Sequence, residues 1–194
     1  MIRNVKIKAA HNGSEIGFLV SWDDPKFDPV LQKLIPVIES PVPPIPEKLK
    51  GLKDPLVKEA IPPEPQEFPD SFAIQFPVLN NGKKPYFLNG DISSPVNIWK
   101  WNSYPLGVVE SNSEGLNYTK TQELASQEVK SKAIYRYGEY KVIFKRKLKT
   151  SDLLHDTQFK IGETHIFAFN AWDGSSDETG TKKSISSWFQ FILQ

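Results

Sequence analysis

The sequence predicts an all-β fold: an antiparallel β-sandwich with a Pro-rich insertion and one or a few short helices. Three observations predict it. Aromatic residues are 12% of the 194-residue chain against a hydrophobic fraction of 39%, a mix that suits half-buried pleated strands better than a helical bundle. Most apolar runs are short and alternate with polar residues at period two, with turn residues between them. Finally, 12 of the 16 prolines lie between residues 25 and 69, which sets that stretch apart from the strands on either side of it.

In chain order, Val5, Ile7 and Ala9 alternate with Lys6 and Lys8, and the turn signal His11-Asn12-Gly13-Ser14 follows. Ile16, Phe18, Val20 and Trp22 then share one face of a returning strand, so the pair reads as an antiparallel hairpin. The 25–69 insertion lies within one domain spanning 1–194. Proline fixes φ and removes a ladder donor, so the insertion holds neither a central strand nor a long helix; short helices fit at Val30 to Ile38 and Leu49 to Ala60. It is either a solvated polyproline arm or a partner-docking segment anchored by Val42, Ile45, Leu49, Leu52 and Leu56. Strands resume at Phe72 to Phe76 and around Val96, Ile98, Trp99 and Trp101. Between 119 and 133, Thr119 and Gln122 have capping-box spacing and Glu123, Leu124 and Ala125 favour helix, against an irregular loop as the alternative. Three strands close the chain, at Tyr140 to Leu148, Thr164 to Trp172 and Ser184 to Leu193.

Composition narrows the function. There is no cysteine and a single methionine, at position 1, so disulfides, thiolate-bound zinc and iron–sulfur clusters are excluded. A net charge of +1 argues against wholesale nucleic-acid binding. No apolar run is long enough to span a membrane, and Met1-Ile2-Arg3 leads directly into a strand pattern without a visible export signal. His11, His155 and His165 share no metal-ligand spacing. Asp23-Asp24 and the 173–178 segment are the densest acidic sites; the second loosely resembles a calcium loop but is first a turn signal. Lys141, Lys145, Lys147 and Lys149 share one strand face, opposite Val142, Phe144, Arg146 and Leu148, as a solvated face or a dock for an acidic partner.

Six phrases stand in order along the chain: A-A-H-N-G-S-E-I-G-F-L-V-S-W at 9–22, F-P-D-S-F-A-I-Q-F-P at 68–77, P-Y-F-L-N-G at 85–90, P-V-N-I-W-K-W at 95–101, Y-K-V-I-F-K-R-K-L-K-T at 140–150, and F-A-F-N-A-W-D-G at 167–174 with K-K-S-I-S-S-W at 182–188. Together they resemble the haem-binding gamma subunits of dimethyl-sulfoxide-reductase-type molybdenum enzymes, the family of ethylbenzene dehydrogenase, selenate reductase and nitrite oxidoreductase. The resemblance implies a β-sandwich that holds haem b between a methionine and a lysine, partners among the subunits of a molybdenum oxidoreductase complex, electron transfer without catalysis, and a place outside the cytoplasm. It puts Lys183, with Lys182 beside it, at the lysine position. The methionine phrase reads Phe87-Leu88-Asn89-Gly90 here, so Asn89 stands where the thioether belongs. An amide is a poor axial ligand for haem iron, and His11 and His165 are the substitutes on offer. The expectation is therefore a haem-free accessory subunit that acts in subunit association or self-assembly, with no cofactor; the alternative is a haem b electron carrier. A separate carbohydrate- or metal-binding module is a third reading.

Overall fold

The computed structural model describes residues 2, 4–26 and 68–194. Nearly all of the 25–69 insertion, with both helix expectations in it, lies outside those residues. The described strands are β1 (Val5–His11), β2 (Glu15–Asp23), β3 (Ser71–Pro77), β4 (Val96–Asn102), β5 (Gly107–Ser113), β6 (Thr119–Thr121), β7 (Lys130–Arg136), β8 (Glu139–Lys147), β9 (Thr164–Trp172), β10 (Ser184–Ile185) and β11 (Phe189–Ile192). They form two antiparallel sheets. One runs β1-β2-β8-β7; the other runs β10-β9-β3-β4-β5-β6, with β11 also paired to β9.

Period two decides the smaller sheet. Ile16, Phe18, Val20 and Trp22 of β2 are buried, and in register beside them Tyr140, Val142 and Phe144 of β8 point the same way. The opposing sheet meets them with Phe72, Ile74 and Phe76 of β3 and Trp99 and Trp101 of β4. Rings interlock across the layer: Trp22 stacks on Phe72 with centroids 5.1 Å apart, and Phe18 lies 5.2 Å from Phe76. Such pairs add stabilisation beyond the area they bury. The β1–β2 turn is held by Asn12, whose Oδ1 accepts from the Ser14 and Glu15 amides. β7 and β8 are joined by Tyr137 and Gly138, both at positive φ (56° and 75°), the backbone of a two-residue hairpin loop.

Two expectations are corrected. The 119–133 segment is not an α-helix and only partly irregular: β6, one 3-10 turn at Leu124–Ser126 and the start of β7 occupy it, with residues 122–123 and 127–129 irregular between them. Pairing of Thr119 and Thr121 with β5 overrides the local helix preference. The expected strand from Ser184 to Leu193 is two short ones, with residues 186–188 between them. β5 is a strand that the sequence pattern did not disclose.

β3 is buried along its whole length. It is a central strand with both faces covered. Its second face, with Ala73, joins Val96, Ile98 and Trp172 in a separate apolar cluster outside the inter-sheet core, and Trp188 packs on that cluster.

Candidate functional site

The register places this second face in order. Ala73 pairs with Lys100 on β4 and Asn170 on β9, Gln75 with Ile98 and Ala168, and Ser71 with Trp172. Two loops are tied over it. The Gln75 side chain donates to the Phe87 carbonyl at 2.8 Å, Trp188 Nε1 donates to the Pro85 carbonyl at 2.7 Å, and Trp172 Nε1 donates to the Gly180 carbonyl at 3.0 Å.

Asn89 and Lys183, 94 residues apart in sequence, meet here. Asn89 has φ 65° and Gly90 has φ 75°, so the phrase turns sharply, and asparagine is among the few side chains at ease in that left-handed region. A Cβ on Gly90 would stand 2.9 Å from the Ser94 carbonyl oxygen. The Lys183 ammonium donates to Asn89 Oδ1 at 3.2 Å, and Asn170 Nδ2 donates to the same oxygen at 3.3 Å. Lys183 Nζ also lies 5.1 Å from the centroid of the Trp172 ring, and Lys100 Nζ 4.5 Å from it. Burial, and then repulsion from Lys100, pulls the Lys183 amine down to about 8. Burial lowers Lys100 as well. Lys182 turns away, its Nζ 2.6 Å from the Ser176 carbonyl oxygen on the exposed side.

Asn89 Oδ1 accepts both of its donors from the protein, and an amide oxygen is a poor axial ligand for haem iron, so the Asn89 position does not fit that role. A groove of about 450 Å³ lies alongside, but Lys84, Phe87, Ile185, Ser186, Ser187 and Trp188 line it, and neither Asn89 nor Lys183 does. The histidines supply no substitute. His165 Nε2 bonds to the Lys160 backbone and the ring packs edge-on against Phe159, while His11 bonds to the Gln194 carbonyl.

A second cluster forms where β2 ends and β3 begins. The carboxylate oxygens of Asp24, Asp70 and Asp173 lie within 4.8 Å of one another. Each is engaged by the fold. Asp70 accepts from Tyr140 OH at 2.8 Å and from the Gly174 amide at 2.9 Å; Asp173 accepts from Ser175 and Ser176 at 2.7 and 2.8 Å; Asp24 accepts from the Lys26 amide at 3.1 Å. Burial pushes the Asp173 carboxyl up, and the hydrogen bonds it accepts from Ser175 and Ser176 pull it down. The 173–178 segment folds as a 3-10 turn at Gly174–Ser176. The sequence singles out Asp24 and Asp173 separately, and gives no sign of Asp70, Lys100 or Asn170. The one local signal for this face was Gln75, an amide inside an otherwise apolar run.

The family model described as ethylbenzene dehydrogenase matches residues 1–123 and, in a second segment, 112–184. The chain is also similar to a Haloferax mediterranei protein named "Putative respiratory nitrate reductase heme subunit ORF7", at 33% identity over 127 residues, covering 66% of this chain and 44% of the relative. The match thus spans less than half of the relative's length.

Proposed function

Because this chain belongs to the ethylbenzene dehydrogenase family, we propose that it is a non-catalytic accessory subunit of a molybdenum-type respiratory oxidoreductase complex, seated there by protein contacts and without haem. The observation that supports the haem-free part is Asn89, an amide that accepts from Lys183 and Asn170, at the position the resemblance assigns to a methionine. The two positions that the resemblance assigns to axial ligands are used to close the loops onto the sheet. Asn89 fits that use, since its oxygen accepts two protein donors and its backbone suits the turn. The expected work is subunit association or self-assembly in an extracytoplasmic compartment, with the 25–69 segment as one arm of contact.

Haem b carriage with electron transfer is the second reading. The comparison favours it, because the Haloferax relative is named a heme subunit. The side-chain chemistry at Asn89 sets it second for this chain. Among the described residues no helix is long and apolar enough to cross a membrane.

Co-purification tests the accessory role. Tagged full-length chain is expected to bring down the molybdenum-containing complex of its source cells in fixed ratio, whether or not haem synthesis is blocked. Deleting 41–65 is expected to weaken that recovery while the unfolding midpoint of the sandwich stays in place. Recovery that depends on haem supply would support the electron-carrier reading; no recovery would remove the accessory role.

A further inference from the structure

The outer face of the β1-β2-β8-β7 sheet is covered by nothing among the described residues, and its charge is one-sided. Residues paired across antiparallel strands point to the same face, so the registers fix what faces outward. β8 presents Lys141, Lys145 and Lys147, and β7 presents Lys130, Lys132 and Arg136. β1 adds Lys6 and Lys8, paired with Ser21 and Leu19. The carboxylates on this face are Glu15, Asp23 and Glu139. Eight strand cations thus oppose three strand anions, with Glu128 reaching Lys147 at 3.6 Å as a fourth, although the whole chain carries only +1. The positive charge is gathered on one face instead of being spread for solubility.

The face also has an apolar centre. One cross-strand row reads Lys8, Leu19, Ile143, Lys132, and the next reads Lys6, Ser21, Lys141, Ile134. Ile143 is 45% exposed, and Ile134, diagonal to it on the edge strand β7, 57%. Glu15 and Glu139 neutralise Lys145 and Lys141, each at 3.0 Å. Lys8 and Lys132, at the two ends of the Leu19–Ile143 row, have no carboxylate within ion-pair distance among the described residues. Apolar centre and charged rim is the layout of a protein-binding patch.

We propose that this sheet face docks an acidic protein surface, with Leu19 and Ile143 on the two central strands at the centre of the contact and Lys8, Lys132 and Ile134 on the edge strands at its rim. The inference rests on the accessory-subunit reading, to which it adds the surface used and the chemistry of the partner. Four strands at about 4.8 Å spacing, by about five outward rows, give roughly 500 Å². That is below the ~800 Å² per partner of a standard stable interface, so the dock by itself is reversible and salt-sensitive.

The test compares full-length chain with the variant Lys8→Glu/Lys132→Glu/Lys141→Glu for retention on the complex named above, at about 0.05 M and about 0.5 M salt. A control carries Lys83→Glu/Lys84→Glu/Lys120→Glu, all exposed and off this face. The wild type and control are expected to be retained at low salt, and the face variant at least tenfold more weakly. Equal retention of the face variant overturns the docking face and leaves the accessory role standing. If even the wild type is not retained, the accessory role falls, and amide-shift mapping with a polyglutamate probe decides the face separately. Shifts gathered on the outward residues of β1, β7 and β8 support it, and shifts scattered elsewhere overturn it. Tighter binding to anionic vesicles or duplex DNA than to polyglutamate would overturn the assignment to a protein partner.

Discussion

Replacing Arg146 with methionine is expected to cost the sandwich about 3 to 5 kcal/mol, read as a fall in the urea midpoint with the slope unchanged. Arg146 lies on β8, fully buried between the sheets. Its Nη1 stands 2.7 Å from Glu110 Oε1 and 3.1 Å from Asn97 Oδ1, its Nη2 donates to the Thr157 carbonyl, and Asp156 lies 3.7 Å away. The guanidinium also covers Trp99 and Phe159 at 4.8 and 5.5 Å. Methionine fills much of the space, but it leaves Glu110 and Asp156 buried with no cation between them. Burial already raises Glu110, against the opposing pull of Arg146. Without the arginine the carboxyl rises further. A folded-state value above the unfolded one makes stability fall as pH rises through that window. Part of the loss in Arg146→Met should therefore return as the pH is lowered, and the double variant Arg146→Met/Glu110→Gln should lose less than the single. A midpoint within about 1 kcal/mol of wild type would show that the buried network contributes little.

Gly174→Ala is expected to be comparably damaging, about 3 kcal/mol or more, read from thermal unfolding. A Cβ at this position would stand 1.9 Å from the Phe68 carbonyl oxygen and 2.9 Å from its carbon, and both are backbone atoms. The Gly174 amide also donates to Asp70, which accepts from Tyr140 on the facing sheet. Shifting the loop therefore disturbs the entry to β3 and a tie across the core together. Gly162→Ala is the contrast: its φ is 86° but nothing lies within 4 Å of the added carbon, so only backbone strain of about 1 kcal/mol applies.

The two predictions fall where sequence reading was weakest, for a shared reason. Strands that bury apolar residues on one face, such as β2 with Ile16, Phe18, Val20 and Trp22, announce themselves by period two. β5 hides because its buried residues are Glu110, Ser111 and Ser113, polar groups made tolerable by partners far along the chain. Glu110 needs Arg146, 36 residues away, and its backbone is paired to Gln127. The 119–133 segment misled because helix formers at 123–125 gain only one turn before pairing takes over. At the site, resemblance alone pointed to Lys183 and Asn89. Lys100, Asn170 and Asp70 carry no local signal, since sheet register is what brings Asn170 and Lys100 to flank Ala73.

The charge on the outer sheet face was legible in part. Alternation in 140–149 separated the lysines from Arg146, as the structure has them. The contributions of β1 and β7 needed the strand order, which no periodicity discloses.

An absorption titration of the purified full-length chain with haem tests the central claim most directly. With Asn89 Oδ1 accepting from Lys183 and Asn170, the account predicts no stoichiometric Soret band, and a spectrum unchanged in Lys183→Ala. A Soret band that saturates at one haem per chain and disappears in Lys183→Ala would contradict it.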